Sequence, residues 1–128
     1  MNGRNVLVDT NILIYLLKGD QTAAELLSGK DLFISFVSQI ELSSGKSLSN
    51  KQLESIEILI DSTIVLESSP SINNKASELR RNFNIKLPDA IIIATALVNN
   101  LPLITADAEM IKIGQARIIK YLPDQDKR

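Results

Sequence analysis

The sequence predicts an α/β fold, a three-layer α/β/α sandwich around a mostly parallel central sheet of about four or five strands. Short apolar runs alternate with segments of helical length, and capping residues or glycines separate them. Strands joined by helices imply right-handed crossovers and a sheet covered on both faces. With 128 residues and 45% hydrophobic content, the chain suits one domain over residues 1–128. We expect a folded core at about 5–121 and a mobile tail at 122–128.

The first half of the chain predicts two strands and four helices. Their order is a strand at Asn5–Val8, a helix at 12–17 opened by Thr10 and Asn11 and stopped by Gly19, a helix through Leu27 capped by Asp20, a strand at 32–37, a helix capped by Ser38, and a longer helix opened by Asn50. Glu41 stands three residues after Ser38. This is a capping-box pattern, which by itself offers a purely structural explanation for both residues.

The second half of the chain predicts three strands and three helices. Their order is a strand at 64–66, an amphipathic helix at 71–83 that carries Arg80 and Arg81, a helix at 88–98, a strand at 101–105, a short helix at 107–113 and a strand at 116–121. Pro88 suits the first turn of the 88–98 helix. This helix is apolar nearly all round, so it should be buried.

Four acids stand where apolar segments end or helices begin: Asp9, Glu41, Asp89 and Asp107. Because α/β proteins build their sites at one edge of the parallel sheet, we expect these side chains to share a site there. Uncompensated carboxylates repel each other and lose hydration, and a bound cation would resolve that conflict. Each acid also has a structural alternative, namely helix capping for Asp9 and Asp107, the capping box for Glu41, and the positive end of its helix for Asp89.

The composition restricts the chemistry of such a site. The chain has no cysteine and no histidine, which excludes disulfides, thiolate chemistry, Ser-His and Cys-His nucleophile systems and most transition-metal sites. Carboxylate, amide, hydroxyl and water oxygens remain as ligands, and oxygen ligation favours magnesium or manganese.

The charge balance gives nucleic acid no global attraction. Fourteen Lys and Arg stand against fifteen Asp and Glu, a formal charge of -1, so any such binding must be local. The candidate cations are Lys46 with Lys51, Arg80 and Arg81 with Lys86, and Lys112, Arg117 and Lys120, for which ordinary surface exposure is the alternative. The sequence has no apolar run of about 20 residues and no apolar signal-peptide core at its start, so we expect a cytoplasmic protein without membrane contact.

Four motifs together carry a family resemblance. They are LVDTNIL at 7–13, SQIEL at 38–42, LPDAIIIATAL at 87–97 and LITAD at 103–107. Any one would be weak, but their order and intervals are specific. From Val6 to about Tyr121 the chain resembles PIN-domain proteins, more specifically VapC-type toxin ribonucleases.

The resemblance implies a metal-dependent endoribonuclease that acts as the toxin of a type II toxin-antitoxin pair. The implied ligands of one or two Mg²⁺ or Mn²⁺ ions are Asp9, Glu41, Asp89 and Asp107, with Asp9 and Asp89 as the first choices for direct ligation. Thr10 and Thr105 match hydroxyl positions that organise the site, and Asn11 matches an amide that braces the loop. The implied partners are an RNA substrate, a cognate antitoxin that blocks the site, a second copy in a homodimer, and DNA only through the antitoxin complex.

The last motif departs from the family pattern. Family members often have a second aspartate followed by phenylalanine, whereas this chain has Glu109 and Met110. Because glutamate is longer by one methylene, Glu109 is expected to ligate through water if it ligates at all. Arg80 lies where related toxins often place a basic residue, which implies a contact with RNA phosphate.

Other classes of protein fit the residues less well. A haloacid-dehalogenase-type phosphatase needs a second acid two residues after the first, where this chain has Asn11, and a phosphoacceptor receiver domain needs a lysine that residues 105–107 do not supply. The stronger alternative is a PIN-fold binding module that holds RNA or a protein with weak or no catalysis. Metal-dependent turnover would separate it from an enzyme.

Overall fold

Residues 3–121 form a sheet of five strands, all parallel. In chain order they are β1 (Asn5–Val8), β2 (Asp31–Ser35), β3 (Ile64–Leu66), β4 (Leu103–Thr105) and β5 (Ile118–Lys120), and they lie side by side in the order β3-β2-β1-β4-β5. The structure is a computed structural model that describes residues 3–121. The predicted α/β sandwich with a parallel sheet is therefore confirmed, and the predicted tail at 122–128 lies outside the described residues.

Seven helices connect and cover the strands within residues 3–121. They are α1 (Thr10–Leu17), α2 (Gln21–Leu27), α3 (Phe36–Ser43), α4 (Asn50–Asp61), α5 (Pro70–Asn82), α6 (Leu87–Val98) and α7 (Ala108–Ile113). Among these described helices, none combines the length and apolar character needed to cross a bilayer.

Alternating side chains of the strands bury the two faces of the sheet. Leu7 packs into a core with α5, α6 and α7, whereas its neighbours Val6 and Val8 pack into a second core with α1, α2 and α4. Leu103 and Ile104 of β4 divide between the same two cores, as expected because successive strand residues point to opposite faces. The sheet is thus the middle layer of three, and α6 is largely buried as predicted.

The order of the strands positions the site. The chain moves outward from β1 through β2 to β3, and then returns to the other side of β1 for β4 and β5. The order therefore switches between β1 and β4, and α/β proteins form ligand crevices outside the carboxyl ends of strands at such a switch. Asp9 and Ala106 directly follow β1 and β4 at this switch point.

One predicted cap is wrong. Strand β2 ends at Ser35, two residues earlier than predicted, and Ser35 is the N-cap of α3, accepting a 3.1 Å hydrogen bond from the backbone N–H of Val37. Ser38 lies inside the helix, so Ser38 and Glu41 do not form a capping box. The strand prediction ran too far because the apolar Phe36 and Val37 continue its pattern, but they pack from the first turn of α3 instead.

Smaller differences concern where elements begin. Asp9 itself caps α1, where Thr10 and Asn11 were predicted to open the helix. A complete capping box occurs at Ser49 and Gln52, just before the predicted opening at Asn50. Strands β4 and β5 are shorter than predicted, because pairing is confined to three residues of each run, Leu103–Thr105 and Ile118–Lys120.

Candidate active site

Asp9 is held by hydrogen bonds to both carboxylate oxygens. It follows β1 directly and is 4% exposed. Its Oδ1 accepts from the backbone N–H of Thr10 at 2.8 Å, and its Oδ2 accepts from the hydroxyl of Thr105 at 2.7 Å. Asp9 therefore does cap α1, but capping uses only Oδ1 of its carboxylate. The other oxygen is fixed by a residue on the neighbouring strand.

Thr105 connects the ends of β1 and β4. Its side chain is fully buried, and besides donating to Asp9 its hydroxyl accepts from the backbone N–H of Asp107 at 3.0 Å. Asp107 in turn caps α7, since its Oδ1 accepts from the backbone N–H of Glu109 at 2.8 Å. One buried threonine thus fixes the position of Asp9 and of the turn that carries Asp107.

Thr10 connects α1 to α3. Its hydroxyl lies 2.7 Å from Oε1 of Glu41 and 2.8 Å from the hydroxyl of Ser38. Because the backbone N–H of Thr10 also donates to Asp9, this residue links the acid after β1 with the acid on α3. The hydroxyl positions that the resemblance singled out, Thr10 and Thr105, each contact an acid.

Asp89 occupies the first turn of α6 and is partly buried. Burial raises the pKa of its carboxyl above the ordinary value, the charges of Asp107 and Glu41 raise it further, and Lys86 partly offsets them. Because charges act strongly only over short distances, these causes place Asp89 within electrostatic reach of two other acids.

Burial raises the pKa of Asp9 from 3.8 to about 6. The hydrogen bond from Thr105 works against this shift, and the negative charges of Asp89 and Asp107 add to it. Within residues 3–121, none of the four acids forms an ion pair with a lysine or arginine. Negative charge is therefore concentrated at the carboxyl edge of the sheet without a cationic side chain bonded to it.

The donor set fits a hard divalent cation by type and by charge. Carboxylate and hydroxyl oxygens are the ligands that magnesium prefers, and it is usually held by only one or two carboxylates with waters. Residues 3–121 contain no three acids that already converge at coordination spacing. Asp9 is fixed at both oxygens, whereas the exposed Glu41 is held through Oε1 alone, so Glu41 can move toward an ion more readily than Asp9.

Three predicted site residues lie apart from this cluster. The side chain of Glu109 is 68% exposed, and its carboxylate lies 3.9 Å from Nζ of Lys112 on its own helix. Arg80 is exposed in the last turn of α5 and forms no ion pair among the residues described. Asn11 is exposed, and within the described part of the chain its side chain makes no hydrogen bond that braces the loop.

Ser38 is part of the site, although its sequence context predicted only a helix cap. The three-residue interval to Glu41 also predicts that both residues lie on one face of a helix. Lys86 was predicted only to be a surface cation. Its three-residue interval to Asp89 also predicts that the two side chains lie close together.

A groove of about 700 Å³ runs beside Glu41 between α1, α3 and α4. Its apolar lining comes from Ile14, Leu17, Leu42, Leu48 and Ile56, and its lining also includes Lys18 and Lys51. The acidic cluster therefore adjoins an apolar surface.

The fold and the site together define a class of protein, an α/β/α domain with an acidic, oxygen-lined site at the carboxyl edge of its parallel sheet. The sequence profile of the PIN domain matches residues 6–116. The chain therefore belongs to the PIN-domain family, and the resemblance inferred from the four motifs is confirmed. Among curated proteins, none matches the chain.

Several solved structures are similar over nearly the whole chain. A chain of a toxin-antitoxin complex from Klebsiella pneumoniae is 30% identical with a TM-score of 0.79, covering 90% of this chain and 96% of that one. A chain of VapBC-1 from nontypeable Haemophilus influenzae is 25% identical with a TM-score of 0.77, covering 91% and 97%. A chain of DNA-bound VapBC from Salmonella typhimurium has a TM-score of 0.81 at 21% identity, covering 92% and 98%, which shows the shared fold.

Proposed function

We propose that this protein is a Mg²⁺- or Mn²⁺-dependent endoribonuclease that acts as the toxin of a type II toxin-antitoxin pair. The observation that carries the proposal is the buried carboxylate of Asp9. Its pKa is raised by burial and by two other acids, and no basic side chain among residues 3–121 is paired with it. A structural role alone leaves this unfavourable concentration of charge unexplained. A site for a divalent cation explains it.

The proposed roles follow from how firmly each acid is held. Asp9 and Asp89, on elements fixed by the two cores, would ligate one or two ions directly. Glu41 and Asp107 would ligate or orient the attacking water, while Thr10 and Thr105 keep the acids in place. A bound ion would supply an activated water and stabilise charge during in-line displacement at an RNA phosphodiester. Above a pH of about 6, Asp9 is ionised and competent to ligate.

Two further residues enter the proposal differently. Arg80 would contact RNA phosphate from the end of α5, where its exposed side chain leaves the guanidinium available. Glu109 stays outside the proposed set of direct ligands because its carboxylate points toward Lys112.

The proposed partners are a cognate antitoxin and a second copy of the chain, with DNA bound only through the antitoxin complex, all in the cytoplasm. Support comes from the solved relatives described above, which are toxin-antitoxin complexes, the one from Salmonella typhimurium being DNA-bound. The apolar groove beside Glu41 offers a surface on which a partner segment would lie directly against the site. Co-purification with the product of the adjacent gene tests this part of the proposal.

A binding module with weak or no catalysis remains the second candidate. The observation that favours it is that no three acids in residues 3–121 already converge at coordination spacing. Under this reading the protein would hold RNA or a protein partner without cleaving RNA.

The deciding experiment incubates the purified protein with structured RNAs, including transfer RNAs and ribosomal fragments, in Mn²⁺, Mg²⁺ or chelator. Asp9→Asn removes the charge at nearly constant size, and Asp20→Asn is the matched control because Asp20 also caps a helix, α2, outside the acidic cluster. Cleavage that needs metal, disappears in Asp9→Asn and persists in Asp20→Asn is the expected result. Failure to cleave any RNA together with failure to bind Mn²⁺ would favour the binding module.

A further inference from the structure

The hydroxyl of Ser38 is aimed at another helix rather than at its own. The helical hydroxyls of Ser55, Ser77 and Thr95, and that of Ser44 at the C-cap of α3, bond to the carbonyl four residues earlier. Ser38 is fully buried, and its hydroxyl lies 2.8 Å from that of Thr10 on α1. A hydroxyl inside a helix can satisfy itself on the backbone, so this orientation serves a contact between helices.

The number of hydroxyl protons determines which residue donates in the hydrogen bond between Ser38 and Thr10. Thr10 has one hydroxyl proton and two oxygens within hydrogen-bond distance, Oγ of Ser38 and Oε1 of Glu41. An ionised carboxylate can only accept. Thr10 therefore donates to Glu41, and Ser38 donates to Thr10, which is the arrangement that leaves neither buried proton without an acceptor. We call Ser38, Thr10 and Glu41 in this order the hydroxyl chain.

Glu41 depends on this chain for its orientation. Its side chain is exposed, and a glutamate has several freely rotating bonds. The hydrogen bond from Thr10 directs Oε1 toward the end of β1, where the backbone N–H of Thr10 also holds Asp9. Cooperative strengthening along a chain of hydrogen bonds makes the Thr10 donor stronger when Ser38 donates to it.

We infer that Ser38 is a positioning residue, which through Thr10 sets the orientation of the Glu41 carboxylate for the divalent cation. The inference rests on the proposed function, since it concerns the same site. It adds a role for a residue that does not itself face the ion.

The test is a double-mutant cycle on Mn²⁺ affinity, measured by titration calorimetry without RNA. The proteins are wild type, Ser38→Ala, Glu41→Ala and the double variant, each with its thermal midpoint recorded. Ser44→Ala is the matched control, because it removes a hydroxyl from the end of the same helix that bonds only to its own backbone. Thr10→Val tests the chain from its middle member should Ser38→Ala fail to fold.

Ser38→Ala is expected to weaken Mn²⁺ binding about tenfold, as loss of a residue that orients a ligand commonly does. In the Glu41→Ala background, where no carboxylate remains to be oriented, the same substitution is expected to change affinity less than about twofold. Ser44→Ala is expected to have the Mn²⁺ affinity and the thermal midpoint of wild type.

The outcomes separate this inference from the proposed function. Unchanged Mn²⁺ affinity in Ser38→Ala, with wild type binding normally, would overturn the inference alone. Equal weakening with and without Glu41 would also overturn it, because the effect would then arise from packing. A wild-type protein that neither binds Mn²⁺ nor cleaves RNA would overturn both.

Discussion

The hydroxyl of Thr105 donates a 2.7 Å hydrogen bond to Oδ2 of Asp9, a residue 96 positions earlier in the chain. The register of the sheet explains this contact. Val8 is paired with Ile104, and the backbone N–H of Asp9 still donates to the carbonyl of Ile104 at 3.0 Å. One step further along both strands, Asp9 and Thr105 are therefore neighbours.

Thr105→Val should raise the pKa of Asp9 further, because the hydrogen bond that it removes stabilises the ionised carboxylate. The pH of half-maximal cleavage on the acidic limb is expected to move upward. Thr95→Val is the matched control, since Thr95 is equally buried but bonds to the carbonyl of Ile91 on its own helix. A pH profile of cleavage checks the shift, and equal shifts in both variants would contradict the assignment.

Asp9 should make the metal-free protein less stable as the pH rises. Its folded pKa of about 6 exceeds its ordinary value of 3.8, so its contribution to the free energy of unfolding is present below pH 3.8 and is lost as the pH rises through 6. Asp9→Asn lacks this contribution. Relative to that variant, wild type is expected to lose about 3 kcal/mol over this range.

Urea unfolding of both proteins in chelator at several pH values measures this difference. Asp89, whose pKa is also raised, adds a change in the same direction that both proteins share. Parallel curves for wild type and Asp9→Asn would show that Asp9 has an ordinary pKa.

Mn²⁺ should raise the thermal midpoint of the wild-type protein. A ligand present at about 100 times its dissociation constant stabilises the folded state by about 2.7 kcal/mol, which for a domain of this size corresponds to several degrees. Asp9→Asn is expected to lose most of this shift and Asp20→Asn to keep it. Thermal unfolding with and without the ion provides the measurement, and an identical shift in Asp9→Asn would place the ion elsewhere.

Asp107 and Glu109 should differ in importance although they are two residues apart. Asp107→Asn is expected to reduce cleavage at least about tenfold, because it removes one of the acids proposed to ligate the ion or to orient its water. Glu109→Gln is expected to change it less than about threefold, because the Glu109 carboxylate is exposed beside Lys112. Initial rates on one RNA compare the two, and equal losses would put Glu109 among the ligands.

Arg80 should contribute to RNA binding through charge alone. Arg80→Gln is expected to weaken binding and to reduce the slope of log affinity against log salt by about 1, with the adjacent exposed Arg81→Gln as the control. Binding to an RNA measured in chelator over a range of salt concentrations checks both. The same slope for Arg80→Gln and wild type would contradict the proposed contact between Arg80 and RNA phosphate.

Much of the fold was predictable because its signals are local. The apolar runs that became β1 and β3 were predicted with the bounds that the structure has, since each is flanked by residues that end a strand. Strand β2 was not, because Phe36 and Val37 continue its apolar pattern. Only the Ser35 cap, with its hydrogen bond to the backbone N–H of Val37, fixes where the helix begins.

The sequence by itself determined the fold class, the edge of the sheet at which the acids lie, and the oxygen-only chemistry of the site, because periodicity, capping residues and composition are properties of short segments. The tertiary structure decided which side chains bond to which. Sheet register placed Thr105 against Asp9. The packing of α3 against α1 placed Ser38, which was predicted to be a helix cap, within hydrogen-bond distance of Thr10. Such pairings depend on distances between segments far apart in the chain, and a single sequence does not encode those distances locally.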